Sequence, residues 1–250
     1  GGYAASSAAS KFSLNKVKVD VEAPKVNREQ ILKNLEESRL ARESSKFDNY
    51  LRKEYAQQGK YFAERISWGD GKYAYLSKDI DKATGKPTPV RYRSYLKADG
   101  SIDWPLENGF VLDSAGNPVT QSANLKAGQV IDRFGNSYGR FTSPVDNGEK
   151  LAFNTRGLPY PEGYQEYHQY EVVKDINKAN YEKAYNQLND MDKSQLKMDM
   201  EEFGFRPEDI YNPQRGEISK IFGQGGGIQI QLGTSVNWYE KLGFLREVKK

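Results

Sequence analysis

The sequence contains no cysteine and only one histidine, His168, among its 250 residues. Without cysteine the chain can form no disulfide and no thiolate metal site, and it has no cysteine nucleophile. A single histidine also excludes a metal site built from several imidazoles, and it excludes a catalytic pair of histidines such as a nuclease needs. We therefore expect chemistry that uses neither a metal ion nor another cofactor.

Long apolar runs and a large excess of one charge are also lacking. The mean hydropathy is -0.83, and no stretch approaches the roughly 18 apolar residues of a membrane span. The 37 lysines and arginines are interspersed with 34 aspartates and glutamates, for a net charge of +3. Mixed charge of this kind is typical of a solvated surface. We expect neither a membrane span nor a nucleic-acid partner.

The N-terminus lacks both an initiating methionine and the basic-then-apolar layout of a signal peptide. Residues 1–10 are mostly small, and residues 11–26 read as an irregular segment that ends near Pro24. We interpret residues 1–26 as a linker or connector. The chain is therefore expected to be the C-terminal part of a longer protein.

Residues 27–94 are expected to form a helical arm followed by a turn-rich extension. Asn27 is a good N-cap, and apolar residues near helical spacing from Arg28 to about Ile66 predict one or two amphipathic helices that pack on the following domain. The apolar positions are Ile31, Leu35, Phe47, Leu51, Tyr55, Phe62 and Ile66. Turn signals farther along predict short strands at 73–76 and 90–96.

Residues 95–250 are expected to form one α+β domain, a twisted antiparallel-rich sheet with peripheral helices. The predicted strands are 129–134, 139–142, 167–173 and 228–232, and the last alternates apolar and glutamine residues. Helical composition predicts helices within 177–203 and a closing helix over 238–248, broken by Gly243. The sheet would form the core of the molecule.

Four segments together supply arginine, aromatic residues and glycine. They are 128–135 (GQVIDRFG), 139–144 (GRFTSP), 156–159 (RGLP) and 222–229 (FGQGGGIQ). Arginine forks, aromatic faces and bare backbone are what a dinucleotide with two phosphates and two flat bases requires. The last segment alone is a weak signal, because it matches neither a Walker loop nor a dinucleotide-binding glycine motif.

These segments resemble the tuberculosis necrotizing toxin (TNT) family. They follow Asp-Trp-Pro at 103–105 and Asn-Gly-Phe at 108–110 in the family's order, so that the resemblance covers about residues 100–247. It implies a TNT-like fold and a glycohydrolase that cleaves NAD+ or NADP+, as substrate, to nicotinamide and ADP-ribose. It also implies a secreted toxin that acts in the target-cell cytoplasm and has a cognate immunity protein.

The resemblance also implies roles for individual residues. Arg133 would hold the pyrophosphate, with Arg156 as the second arginine of the pocket, while Phe134 and Phe141 would flank the nicotinamide end. Gln229 would be needed for turnover and His168 would orient substrate or water, while Gly226 and Gly227 would let the backbone approach the ligand. The sequence departs from compact family members by an insert at 174–214 and by phenylalanine at 141, where some members have tyrosine.

Taken without the family, the same residues allow other interpretations. Arg133 could pair with the neighbouring Asp132, the phenylalanines could be core residues, and His168 could be structural. An ADP-ribosyltransferase toxin would break the same bond, although its Glu-x-Glu or Gln-x-Glu turn is not evident. A non-catalytic binding module that uses the helical arm and the insert is the third possibility.

Overall fold

The computed structural model describes residues 27–54 and 63–249. The helices are α1 (Arg28–Ser44), α2 (Phe47–Arg52), α3 (Lys178–Gln187), α4 (Asp190–Phe203), α5 (Pro207–Tyr211) and α6 (Val236–Lys241). The strands are β1 (Arg65–Gly69), β2 (Lys72–Asp81), β3 (Lys86–Val90), β4 (Gln121–Ser122), β5 (Val130–Phe134), β6 (Phe141–Pro144), β7 (Tyr167–Val172), β8 (Gln214–Glu217), β9 (Ile228–Gln231) and β10 (Leu245–Val248). The predicted connector at 1–26 and the helical positions Tyr55 and Phe62 lie outside the described residues.

The described strands form two antiparallel sheets. The larger has seven strands in the order β10-β7-β5-β6-β9-β8-β4, and the smaller is the meander β1-β2-β3. Strand β5 lies inside the larger sheet, paired with both β6 and β7. The sheet and its surrounding helices confirm the predicted α+β class.

One face of the large sheet carries the main hydrophobic core. Ile131, Tyr170 and Ile230 project from its strands into a cluster with side chains of α3 to α6. Within the predicted insert, Leu196 and Ile210 are fully buried in this cluster. The segment 174–214 is therefore helical and supplies part of the core.

The opposite face and one end of the sheet are covered by the N-terminal part of the chain. Ile31 of α1 clusters with Val130 of β5 and Val248 of β10. A second cluster joins residues on both sides of position 95, namely Tyr50, Ile66, Trp68, Ala74 and Leu76 with Phe134, Leu158, Tyr160 and Tyr164. The arm and the small sheet are thus packed directly on the rest of the molecule.

Three local predictions were wrong. The helical pattern does not continue to Ile66, which lies in β1, because Gly69 and the next residues make a tight hairpin. The strand predicted at 90–96 ends at Val90 and is followed by a 3-10 turn at Arg93–Tyr95. Residues 238–248 divide into α6 and β10, because Gly243 takes a φ of 76° and the chain then pairs with β7.

Among the described helices, none has the length and apolar character needed to span a membrane.

Candidate active site

Arg133 lies near the end of β5 and is held by backbone carbonyl groups. Its Nε donates to Asn136 O at 2.7 Å, and its Nη1 donates to Phe141 O at 3.1 Å. Only 3% of the residue is exposed, and burial lowers the pKa of its guanidinium. Arginine nevertheless stays protonated in proteins. Within the described part of the chain no carboxylate forms an ion pair with it, so its charge is available to an anion.

Two glycines make room for this guanidinium. A Cβ atom on Gly139 would lie 1.7 Å from Arg133 Nη2, and one on Gly135 would lie 2.9 Å from the same atom. Gly135 also has a φ of 123°, which other residues rarely adopt. Gly135 and Gly139 therefore leave the space that the Arg133 guanidinium occupies.

Arg133 lines a cavity of about 500 Å³, a volume in the range of small-molecule sites. Aromatic side chains form part of the wall, with Trp104 and Tyr160 6.2 Å apart and Tyr160 and Tyr164 5.6 Å apart between ring centroids. The hairpin of β2 and β3 forms another part of the wall, through residues 79–84 and Thr88. The cavity therefore combines a buried cation with flat apolar surfaces.

Arg156 is fully buried and bound to Asp132. Its Nη1 and Nη2 donate to the two carboxylate oxygens at 2.6 and 2.7 Å, and its Nε donates to Leu151 O at 3.0 Å. The Tyr167 hydroxyl donates to the same carboxylate at 2.6 Å. Burial acts to lower the pKa of Arg156, but the charge and hydrogen bonds of Asp132 outweigh it and raise the pKa. Asp132 is thus the partner of Arg156 and not of Arg133, which corrects the alternative considered for Arg133.

Strand geometry separates the two arginines. Neighbouring residues on a strand project to opposite faces, so Asp132 with Arg156 lies on one face and Arg133 on the other. Asp132 is paired in register with Ser143, and Phe141 is paired with Gln231. Phe141 and Gln229 therefore share the face of Asp132.

Gln229 is fully buried and is held by the motif that precedes the large sheet. Its Nε2 donates to Asn108 O at 3.2 Å, and Asn108 Nδ2 donates to Gln231 Oε1 at 3.2 Å. Asn108 has a φ of 57°, an uncommon conformation that asparagine tolerates. The structure thus brings two of the family-like motifs into contact.

The glycine run lies against the turn that precedes Arg156. Gly227 N donates to Thr155 O at 3.2 Å, and Gly226 N donates to Ile218 O at 2.9 Å. Gly226 has a φ of 84°, and a Cβ there would meet no atom within 4 Å. There is open space beside this backbone.

His168 lies opposite Arg133 in the register of β5 and β7. Its Nε2 is 3.4 Å from Glu166 Oε2 and its Nδ1 is 3.5 Å from Glu247 Oε2. Its ring is therefore held between two carboxylates. It does not line the cavity of Arg133.

The predicted site residues fall into two groups. Arg133 lines the cavity, whereas Phe134, Phe141, Arg156, Gly226, Gly227 and Gln229 lie elsewhere around the sheet, and Phe134 packs under the Arg156 guanidinium at 4.9 Å. The sequence analysis missed Tyr160, Tyr164 and the β2–β3 hairpin as parts of the cavity. An aromatic Tyr-Pro-x-Gly-Tyr segment at 160–164 was the available signal, but nothing in the sequence links the hairpin to Arg133.

Comparison with known proteins finds similarity to one family over part of the chain. The family model described as tuberculosis necrotizing toxin matches residues 124–187. The chain is 33% identical over 96 residues to the conidial surface nicotinamide adenine dinucleotide glycohydrolase of Aspergillus fumigatus, a match that covers 34% of this chain and 38% of that protein. A solved structure of tuberculosis necrotizing toxin complexed with its immunity factor IFT is 18% identical, with a TM-score of 0.38, and the match covers 67% of this chain and 74% of that one.

The segment matched by the family model contains β5, β6 and β7 together with Arg133 and Arg156. Over these residues the chain is similar to the tuberculosis necrotizing toxin family, as the sequence motifs predict.

Proposed function

We propose that the chain is an NAD+ glycohydrolase that cleaves the bond between nicotinamide and ribose. The proposal depends above all on the family match over residues 124–187 and on the curated relative that is named as such an enzyme. The buried cation of Arg133, placed in a cavity with aromatic walls, supports it. NADP+ is an alternative substrate of the same reaction, and NAD(P)+ enters as substrate and not as cofactor.

Cleavage of this bond requires no general acid from the protein. When the bond between ribose C1′ and the nicotinamide nitrogen breaks, the electron pair goes to the nitrogen and neutral nicotinamide leaves. Water then adds to C1′ and loses a proton, which gives ADP-ribose. Because the leaving group is already cationic, no acid is needed to expel it. The protein has to orient the substrate, stabilise the ribosyl cation and present water.

We assign the roles of the site residues on this basis. Arg133 binds the pyrophosphate, because it is a buried cation with no carboxylate partner among the described residues. Gln229 orients the ribose or the attacking water, and its contact with Asn108 fixes its amide. Phe134 and Phe141 lie outside the cavity lining, on the other face of the sheet from Arg133, so their place beside the nicotinamide end stays a prediction, as does close approach of the backbone at Gly226 and Gly227.

Two of the predicted residues have partners that limit their part in the reaction. Arg156 would reach a phosphate only if it left Asp132, so we propose that it mainly positions β5 and the 151–159 segment. His168 would act on substrate or water only from its place between Glu166 and Glu247. Direct contact of either residue with the substrate stays a prediction.

The biological setting is part of the proposal. A toxin that depletes NAD+ would be secreted, would act in the cytoplasm of a target cell, and would require a cognate immunity protein in its producer. The relatives are consistent with this setting, since one is named as a conidial surface protein. A protein that covers the mouth of the Arg133 cavity would block the reaction.

The test is the loss of NAD+ and the release of nicotinamide by the purified chain. We expect turnover in the parent protein, with losses of at least about 100-fold in Arg133→Ala and in Gln229→Ala, the scale of losing one preorganised stabilising group. Arg246→Ala serves as the matched control, because Arg246 is an exposed arginine on β10 that pairs with Glu171. All variants should keep the parent's circular dichroism spectrum.

The product identifies the reaction class. Free ADP-ribose in an amount equal to the nicotinamide released is expected for a glycohydrolase. Transfer of labelled ADP-ribose to protein would instead indicate an ADP-ribosyltransferase. A folded protein that leaves NAD+ intact would contradict the proposal and favour a binding module.

A further inference from the structure

The cavity of Arg133 is lined by several separate parts of the chain. One part is the end of β5 with the 160–166 segment, which lies within the residues matched by the family model. Another is the β2–β3 hairpin, which contributes residues 79–84 and Thr88 and lies outside that match. The N-terminal segment therefore forms a wall of the site that the family match alone would not include.

A pyrophosphate carries two negative charges, and Arg133 supplies one positive charge. Arg156 is on the opposite face of β5 and is bound to Asp132 by two hydrogen bonds. Arg42 also lines the cavity, but the carboxylates of Glu166 and Asp48 interact with its charge, whereas no carboxylate does so with Arg133. The remaining cation of the wall is Lys82.

The carboxylates of the cavity are occupied by contacts within the protein. Asp79 Oδ2 accepts from Ile102 N at 2.9 Å. Asp81 Oδ1 accepts from Ala83 N at 2.8 Å, and its Oδ2 accepts from the Tyr164 hydroxyl. The bonds from Ile102 and Tyr164 hold the hairpin against these neighbouring parts of the wall. Glu166, the remaining carboxylate of the wall, lies 3.4 Å from His168 and is largely exposed.

Lys82 forms no ion pair with a carboxylate in the described ranges. It follows Asp81 in the hairpin turn, lines the cavity and is exposed. The turn beneath it is fixed, because Thr84 N and Gly85 N both donate to Asp81 O. The Lys82 ammonium group is thus attached to an ordered turn, and its charge is not paired with a carboxylate of the described residues.

We infer that Lys82 is the second anion-binding cation of this site, so that a diphosphate is held between the β2–β3 turn and the end of β5. The choice of a diphosphate as ligand rests on the proposed function. The inference adds a residue from outside the family match and makes the N-terminal hairpin a determinant of substrate binding.

The test measures binding of inorganic pyrophosphate and of ADP-ribose to the 250-residue chain by isothermal titration calorimetry. Lys82→Gln is expected to weaken both by about three- to tenfold, as for one charge-assisted contact at a partly exposed site. Lys82→Arg should restore binding to within about twofold of the parent, because it keeps the charge. Lys183→Gln, which removes an exposed lysine of α3, is the control and should change neither constant.

Turnover gives a second readout. In Lys82→Gln the KM for NAD+ should rise by a similar factor while kcat stays close to the parent value, because the residue binds a part of the substrate that does not react. Equal behaviour of Lys82→Gln and Lys183→Gln would overturn the inference. So would a parent protein that binds neither pyrophosphate nor ADP-ribose.

The outcomes separate this inference from the proposed function. If pyrophosphate binds in a manner that depends on Lys82 but NAD+ is not cleaved, the glycohydrolase fails and the anion site stands. If NAD+ is cleaved and Lys82→Gln behaves as the parent, the glycohydrolase stands and the second cation is not Lys82. Circular dichroism on each variant excludes a loss of folding as the cause.

Discussion

The ion pair between Asp132 and Arg156 is completely buried. Both side chains have no exposed surface, and two parallel hydrogen bonds of 2.6 and 2.7 Å join them. Burying two charges is costly, so the intact pair adds little net stability. Removing one partner is strongly destabilising, because the other charge is then buried without compensation. The bidentate geometry also fixes the distance between β5 and the 151–159 segment.

We predict that Asp132→Asn lowers the free energy of unfolding by about 3 to 5 kcal/mol, the usual cost of breaking a buried pair. Asparagine has nearly the same shape, but it places an amide N–H against the guanidinium of Arg156 and removes the compensating charge. Urea denaturation followed by circular dichroism measures the change. Glu201→Gln, an exposed substitution on α4, is the control. A loss below about 1 kcal/mol would show that the pair is not compensating a buried charge.

A second prediction concerns the glycine beside Arg133. Gly139 has no left-handed φ, so alanine there imposes no backbone strain, but its Cβ would lie 2.0 Å from Arg133 Cζ. The guanidinium has to move, and Gly139→Ala should therefore weaken pyrophosphate binding roughly as much as Arg133→Ala does.

The double variant isolates the mechanism. If alanine at 139 acts only through the guanidinium, combining it with Arg133→Ala should add no further loss, since two changes that remove one interaction are not additive. Fully additive losses would show that Gly139 acts through something else.

Sequence reasoning at this scale could name Arg133 but could not find its surroundings. The arginine, the glycines and the aromatic residues of its motif are adjacent along the chain, so a motif identifies them. The pairing of Asp132 with Arg156 depends on strand faces, and the presence of Lys82 on the wall of the cavity depends on a hairpin far away in sequence. Such contacts follow from the fold, and a single sequence does not contain them.

At the scale of elements, the turn signals, the alternation at 228–232 and the helical composition of 177–203 predicted much of what forms. β5, β7 and β9 lie within the predicted strands, and α3 and α4 lie within the predicted helical range, beginning after Asn177 and Asn189, whose side chains accept from the backbone. The prediction of one closing helix over 238–248 was wrong because α6 and β10 are both short. Over so few residues, the helical period and the strand period of apolar residues cannot be distinguished.

Gly243 is the residue that separates these two elements. Its φ is 76°, and the nearest atom to an added Cβ would be Lys174 Nζ at 3.4 Å. We predict that Gly243→Ala lowers the free energy of unfolding by about 1 to 2 kcal/mol, the cost of a left-handed conformation with a Cβ. Gly243→Asn should lose less, because asparagine tolerates this region better. Thermal and urea unfolding measure both, and equal stability of alanine and glycine would contradict the role of the φ angle.

At the scale of the whole molecule, the described residues before position 95 are not an appendage. Trp68 Nε1 donates to Glu162 O at 2.9 Å, and Asn34 Nδ2 donates to Gly148 O at 2.7 Å, across large sequence separations. The hairpin of β2 and β3 is tied to α2 by the Tyr50 hydroxyl, which donates to Pro87 O. These contacts place the N-terminal segment in the same folding unit as the segment that the family model matches.

The boundary predicted near residue 95 can be tested directly on this basis. A chain of residues 95–250 would expose Phe134, Tyr160 and Tyr164, whose partners Tyr50 and Trp68 would be missing. We predict that this fragment is less stable than the full chain, binds a hydrophobic dye and loses near-ultraviolet circular dichroism. The full chain should unfold in one transition.

The same fragment bears on the reaction, because it lacks the hairpin wall of the Arg133 cavity. If residues 95–250 fold cooperatively, with a melting temperature within a few degrees of the full chain, the shared cluster contributes little and residue 95 is a true domain boundary. Adding residues 27–94 as a separate chain then becomes informative. Recovery of pyrophosphate binding on mixing would show that the hairpin completes the site, whereas full binding by the fragment alone would show that it does not.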